Sequence, residues 1–87
     1  MAHYAYVVDG VVQNVLVLAN PVITDENGVE QEELGQQFLA NLYDLVAENF
    51  IQCSYNANFR GVYPGVGYGY DSVADVFVAP EVFDEAS

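Results

Sequence analysis

The chain predicts an α+β fold, a small single domain of antiparallel β-hairpins packed with one amphipathic helix, on three observations. An Asp9-Gly10 pair separates two apolar, strand-like runs; apolar residues recur at helical spacing between Glu30 and Glu48; and residues 54–71 gather Tyr and Gly around the chain's single Arg. With 87 residues the chain makes one domain, because chains this short bury only roughly 60–65% of the surface exposed on unfolding and cannot feed two cores. Hydrophobic residues make up 53% of it, enough for a core without a metal or disulfide staple. The domain is expected over residues 1–80, with 81–87 as an acidic C-terminal tail.

His3 to Leu18 reads as the first hairpin. Both central positions of its two-residue turn need positive φ, which Asp-Gly supplies. Closing the turn there pairs Val8 with Val11, Tyr6 with Gln13 and Tyr4 with Val15. One face then carries Tyr4, Tyr6, Val8, Val11, Val15 and Val17; the other carries Ala5, Val7, Val12, Asn14, Leu16 and Leu18. Both faces are largely apolar, so one packs on the domain and the second wants cover from a helix or a neighbouring subunit. His3, at the strand's end, has no partner acid or nucleophile at recognisable spacing and reads as structural.

Asn20-Pro21 ends the hairpin, and a connection from Pro21 to Val29 follows, with a second turn signal at Asn27-Gly28. Asp25, Glu26, Asn27 and Glu30 offer oxygen ligands, but their spacing breaks at Val29 and lacks the distant bidentate Glu of a calcium loop. A solvated acidic loop is the expectation.

Glu30 to Glu48 is the expected helix. Leu34, Phe38, Leu39, Leu42, Leu45 and Val46 form a single apolar stripe, read as core, with a partner-helix site as the lesser reading. Glu30, Glu32 and Glu33 sit at its positive end. Gly35 costs about 1 kcal/mol relative to Ala in a helix, which suggests a close approach to another backbone. Asn49 is the expected left-handed stop.

Phe50 to Tyr55 reads as a third strand, with Ile51, Cys53 and Tyr55 on one face and Phe50, Gln52 and Ser54 on the other. A second hairpin joins Gly67–Tyr70 to Val76–Ala79 over Asp71–Asp75, and Pro80 stops the ladder. Across residues 54–71, Tyr55, Phe59, Tyr63, Tyr68 and Tyr70 supply large flat side chains, while Gly61, Gly65, Gly67 and Gly69 let the backbone turn tightly. The combination builds a stiff, shaped surface suited to docking on another polypeptide.

Thirteen acids face one cation, Arg60, for a net charge of −12. Binding to nucleic-acid phosphates or anionic lipid is disfavoured, since both need basic patches. Arg60 is expected first to pair with a carboxylate inside the chain and second to contact another protein. Cys53, the single cysteine, excludes an internal disulfide and reads as a small buried hydrophobe. No apolar run approaches the roughly 20 residues that span a bilayer, and Met-Ala-His-Tyr lacks the basic opening of a secretory signal. Solubility where the protein is made is the expectation.

Chemistry-bearing patterns are thin. Gly65-Val66-Gly67-Tyr68-Gly69 has the glycines of a phosphate-cradling loop but neither a following helix nor a Lys. With one His, one Cys and no Lys, no catalytic or metal-binding constellation stands out, and neither enzyme activity nor a cofactor is expected.

The run Gln52-Cys-Ser-Tyr-Asn-Ala-Asn-Phe-Arg-Gly-Val-Tyr-Pro-Gly-Val-Gly-Tyr-Gly-Tyr-Asp71, followed by Asp75-Val-Phe-Val-Ala-Pro80, resembles a motif in a family of short proteins of tailed phages, especially marine ones. The opening Met-Ala-His-Tyr-Ala, the Asp25 to Val29 turn and Glu33-Leu-Gly-Gln-Gln-Phe38 are also similar, so the likeness covers nearly the whole chain; Gly61 and Pro64 depart from the commoner residues. The resemblance implies a phage origin and a place in the virion, with manufacture in the host cytoplasm. The expected role is a non-enzymatic structural one, foremost a capsid decoration, knob or cement subunit on the shell.

The expected partners are the major capsid protein or other virion proteins, with self-association left open. The expected partner-binding residues are Tyr55, Phe59, Arg60, Tyr63, Tyr68 and Tyr70, joined by the Val82 and Phe83 pair of the tail as a docking foot. A tail or fibre accessory protein is the near alternative. An acidic host-takeover factor or DNA mimic is the alternative from another class, against which the acids cluster at Asp25 to Glu33 and at the chain ends without following a regular charge spacing.

Overall fold

The structure, a computed structural model, describes residues 1–80. Its elements are β1 (Ala2–Val8), β2 (Val11–Leu18), a one-turn helix α1 (Asn20–Ile23), α2 (Glu32–Tyr43), a 3-10 turn (Ala47–Asn49), β3 (Phe50–Cys53), β4 (Gly69–Asp71) and β5 (Val76–Val78). The strands form one antiparallel sheet in the order β3-β1-β2-β4-β5. This is the expected α+β domain. Val82 and Phe83 lie outside the described residues.

The Asp9-Gly10 turn forms as expected, with φ of 52° and 77°, and Val8 pairs with Val11. The expected register fails beyond it. A bulge lets Val7 pair with Val12 while Tyr6 pairs with Asn14, so Gln13 becomes an extra residue in β2. Because side chains alternate with a period of two, this insertion swaps the faces of everything after it. Leu16 and Leu18 now stand opposite Tyr4 and Ala2, and Val15 stands opposite Ala5. The consecutive polar residues Gln13 and Asn14 interrupt the apolar run where the slip occurs, and Gln13 is exposed.

Each sheet face carries its own core. Ala2, Tyr4 and Leu18 pack with Ile23, Leu39 and Phe50 beneath the two helices. On the reverse face Ala5, Val7 and Val12 pack with Cys53 and Phe77. Strand β3 serves both, sending Phe50 to the first and Ile51 and Cys53 to the second, as its alternation predicts. Pro21 falls in the first turn of α1, where its missing N–H costs nothing, and Ile23 is fully buried. This short helix lies in what reads from sequence as irregular connection.

Helix α2 is shorter than expected at both ends. Glu30 is drawn into a bridge with Thr24, and the helix stops at Tyr43 because Asp44, in place of Asn49, takes the left-handed stop position at φ 56°. Asp tolerates that region better than most residues through local hydrogen bonding of its short side chain. Gly35 does mark a close approach, but to a side chain: a Cβ there would lie 2.3 Å from Cζ and Oη of Tyr4. The Tyr4 hydroxyl runs under the first helical turn and donates to the Glu32 carbonyl at 2.9 Å.

Candidate interaction surface

Arg60 is the junction of the molecule. It sits at φ 58°, a left-handed conformation uncommon for a side chain of its length. Its carbonyl accepts the Phe77 N–H of β5 at 2.9 Å, and Gly61 bridges Phe77 in parallel. Its guanidinium reaches the opposite edge of the sheet, where Nη1 donates to the Gln52 carbonyl of β3 at 2.8 Å. One residue therefore joins both outer strands.

Two carboxylates hold that guanidinium. Glu32 of α2 receives Nη1 at 2.6 Å and Nη2 at 3.1 Å, a two-pronged contact, and Asp75 receives Nε at 2.8 Å. Burial works against the Arg60 charge, but the hydrogen bonds to Glu32 and then Asp75 outweigh it, so its pKa is raised. The Asp75 carboxyl is held below its ordinary value by the Tyr70 hydroxyl first and by Arg60 second. Glu32 also accepts the Gln52 N–H at 2.7 Å, and Gln36 donates to the Phe50 carbonyl at 2.7 Å. These side chains occupy the backbone groups that an added strand would use, which closes the β3 edge to pairing.

With its ends fixed, the Tyr/Gly stretch folds over the reverse sheet face. Tyr68 and Gly67 extend the pairing of β2: the Val12 N–H donates to the Tyr68 carbonyl at 2.7 Å, and the Gly67 N–H donates to the Val12 carbonyl at 2.9 Å. Tyr63, Tyr68 and Tyr70 lie half-buried against the Ala5–Val12–Phe77 core. Pro64 is fully buried. The second face of the first hairpin, which reads from sequence as wanting a helix or a neighbouring subunit, is thus covered by the chain itself.

The expected partner-binding residues consequently separate. Arg60, Tyr63, Tyr68 and Tyr70 are committed to clasp and core, with burial and then the Asp75 hydrogen bond pushing the Tyr70 hydroxyl up to about 12. Tyr55 and Phe59 remain exposed. Tyr55 stacks on His3 at 5.6 Å between ring centres and meets Tyr63 edge-on. Beside them opens a polar cleft of about 230 Å³ lined in part by His3, Gln52, Tyr55, Asn58 and Phe59. Cys53 is buried, and burial pushes its thiol up to about 12, far from the reactive range.

A different apolar surface emerges on α2. Leu39 and Gly35 are its buried positions, whereas Leu34, Phe38 and Leu42, read from sequence as core, are 37%, 42% and 59% exposed. Spaced by four residues, they form one ridge along the helix. Tyr43, Leu45 and Val46 continue the exposed apolar area past the helix end. A small groove of about 110 Å³ lies between Tyr43, Leu45 and the sheet residues Tyr6 and Leu16. Sequence periodicity finds the stripe, but not that the short helix turns only part of it towards the sheet.

The acidic connection is ordered by its own groups. Asp25 accepts the N–H of Asn27 and of Val29 and the side chain of Gln31, and the Val29 bond leads in holding its carboxyl below the ordinary value. Among the described residues no group of three or more His, Cys, Asp or Glu is placed to hold a metal ion, and no helix is long and apolar enough to cross a membrane. No protein-family model, curated protein or solved structure matches this chain.

Proposed function

We propose that this chain is a non-enzymatic virion structural protein, foremost a capsid decoration subunit that attaches to the phage shell through an apolar contact. The observation that carries the reading is the exposed ridge Leu34–Phe38–Leu42 on a chain whose net charge is −12. Contiguous exposed apolar area on a small domain marks a contact site more often than chance exposure does. The phage-protein resemblance supplies the setting, and the internal commitment of Arg60 and the half-buried tyrosines supports a rigid body that needs no partner to fold.

Rigidity suits repeated attachment, because a preorganised surface loses little conformational freedom on docking. The acidic remainder of the surface keeps decorated particles apart in solution. Mass spectrometry of gradient-purified particles tests this reading. Peptides of the chain are expected at a copy number comparable with shell proteins; a few copies per particle would move it to the tail or fibre, and absence from particles would end the reading.

A further inference from the structure

Resting on the reading just given, we infer that the α2 ridge receives an amphipathic helix of a foreign polypeptide, one whose apolar stripe is flanked by Lys and Arg. The ridge Leu34–Phe38–Leu42 is an i, i+4, i+8 row, the row by which helices most often interlock, at an angle near 50°. It is about 12 Å long at 1.5 Å per residue, enough for two turns of a partner helix. Both of its ends are acidic. Glu30 stands exposed two residues before α2 and Glu33 in its first turn, and Asp44 and Glu48 stand exposed beyond its end.

That charge pattern selects the occupant. In an antiparallel pairing of two copies about Phe38, Glu30 and Glu33 of one would face Asp44 and Glu48 of the other, acid against acid at both ends. The chain has no cation to relieve this, since Arg60 is its only Lys or Arg and is held by Glu32 and Asp75. A partner with basic residues beside its apolar stripe gains the same burial and turns both acidic ends into attraction. Nucleic acid meets neither condition.

The test uses the full chain and two synthetic helical peptides with identical Leu stripes, one flanked by Lys and one by Glu. Sedimentation velocity first reports whether the free chain is monomeric; titration calorimetry then reports peptide binding. A monomer that binds the Lys-flanked peptide is expected, with affinity falling on the order of tenfold or more in Leu42→Ser, as for loss of a central contact residue. Val73→Ser, in the exposed turn between β4 and β5, should bind as the unaltered chain does, and thermal unfolding checks that both variants are folded.

Equal binding of the Glu-flanked peptide would overturn the inference, and so would no binding of either. A dimer that Leu42→Ser dissociates would assign the ridge to a second copy and overturn it as well. The peptide comparison requires no change to the chain, so it stands even if a variant unfolds. Because no particle is involved, this inference and the virion reading fail separately: presence in particles with no peptide preference sinks only the former.

Discussion

At the residue scale, Arg60 does the work of several residues. Its guanidinium directs three of its N–H groups to two carboxylates and one to a β3 carbonyl, while its own carbonyl accepts from β5. The left-handed backbone costs on the order of 1–2 kcal/mol, which the clasp offsets. Arg60→Met should lower unfolding free energy in urea by about 1–3 kcal/mol, since Glu32 and the Gln52 carbonyl would lose the guanidinium in a partly buried setting. Arg60→Lys should rescue little, because a single ammonium cannot span acceptors set in a planar fork. A Lys variant as stable as the unaltered chain would show that charge alone suffices.

At the element scale, β1 and α2 meet through Tyr4 and Gly35. Gly35→Ala adds a methyl that would overlap the Tyr4 phenol, whose ring is fully buried. The helix gains about 1 kcal/mol of propensity from Ala, but the overlap and the disturbed Tyr4 bond to Glu32 should outweigh it. A net loss of about 1–2 kcal/mol corresponds to roughly 5–15 °C in thermal midpoint for a domain of this size. A midpoint that rises would mean that the helix can lift off Tyr4 at no cost.

Legibility from sequence differs between these elements for physical reasons. The Asp9-Gly10 turn and the alternation of β3 are local codes, so they read correctly. The bulge at Gln13 is a choice between two registers, decided by the partners that Leu16 and Leu18 find under the helices, and adjacent residues do not encode it. The helix stripe was visible, but which part of it faces inward depends on where α2 crosses the sheet. For the same reason the tyrosines of 63–70 read as an outward docking face, although their rings cover Val7, Val12 and Phe77. Charge counting alone makes Arg60 legible as an internal ion pair, whereas its partners Glu32 and Asp75 are not, being 28 and 15 residues away.

At the scale of the whole molecule, several buried or half-buried acids of high pKa make stability sensitive to base. Cys53 and Tyr70 are both pushed up to about 12, and the Tyr4 hydroxyl is raised too, chiefly by burial. The unfolded chain gives up these protons first, from its ordinary thiol and phenol values of 9.0 and 10.0. Folding therefore retains protons that unfolding releases, and its contribution is complete below about pH 9 and lost as pH climbs through about 12. Denaturation midpoints measured from pH 8 to 12 should fall steadily over that window; a flat profile would mean that these groups ionise without unfolding the domain.

The proposed attachment of this self-clasped domain to a phage particle through the exposed α2 ridge is open to one direct comparison. Particles would be grown with the chain supplied as Phe38→Ser/Leu42→Ser or as Tyr55→Ser, each shown to be folded by thermal unfolding, and the bound chain counted after gradient purification. The ridge variant should be lost from particles while the Tyr55 variant is retained at the copy number of the unaltered chain. Ridge variant retained in full, with Tyr55→Ser lost, would place the attachment at the His3–Tyr55 cleft and contradict the proposed ridge attachment.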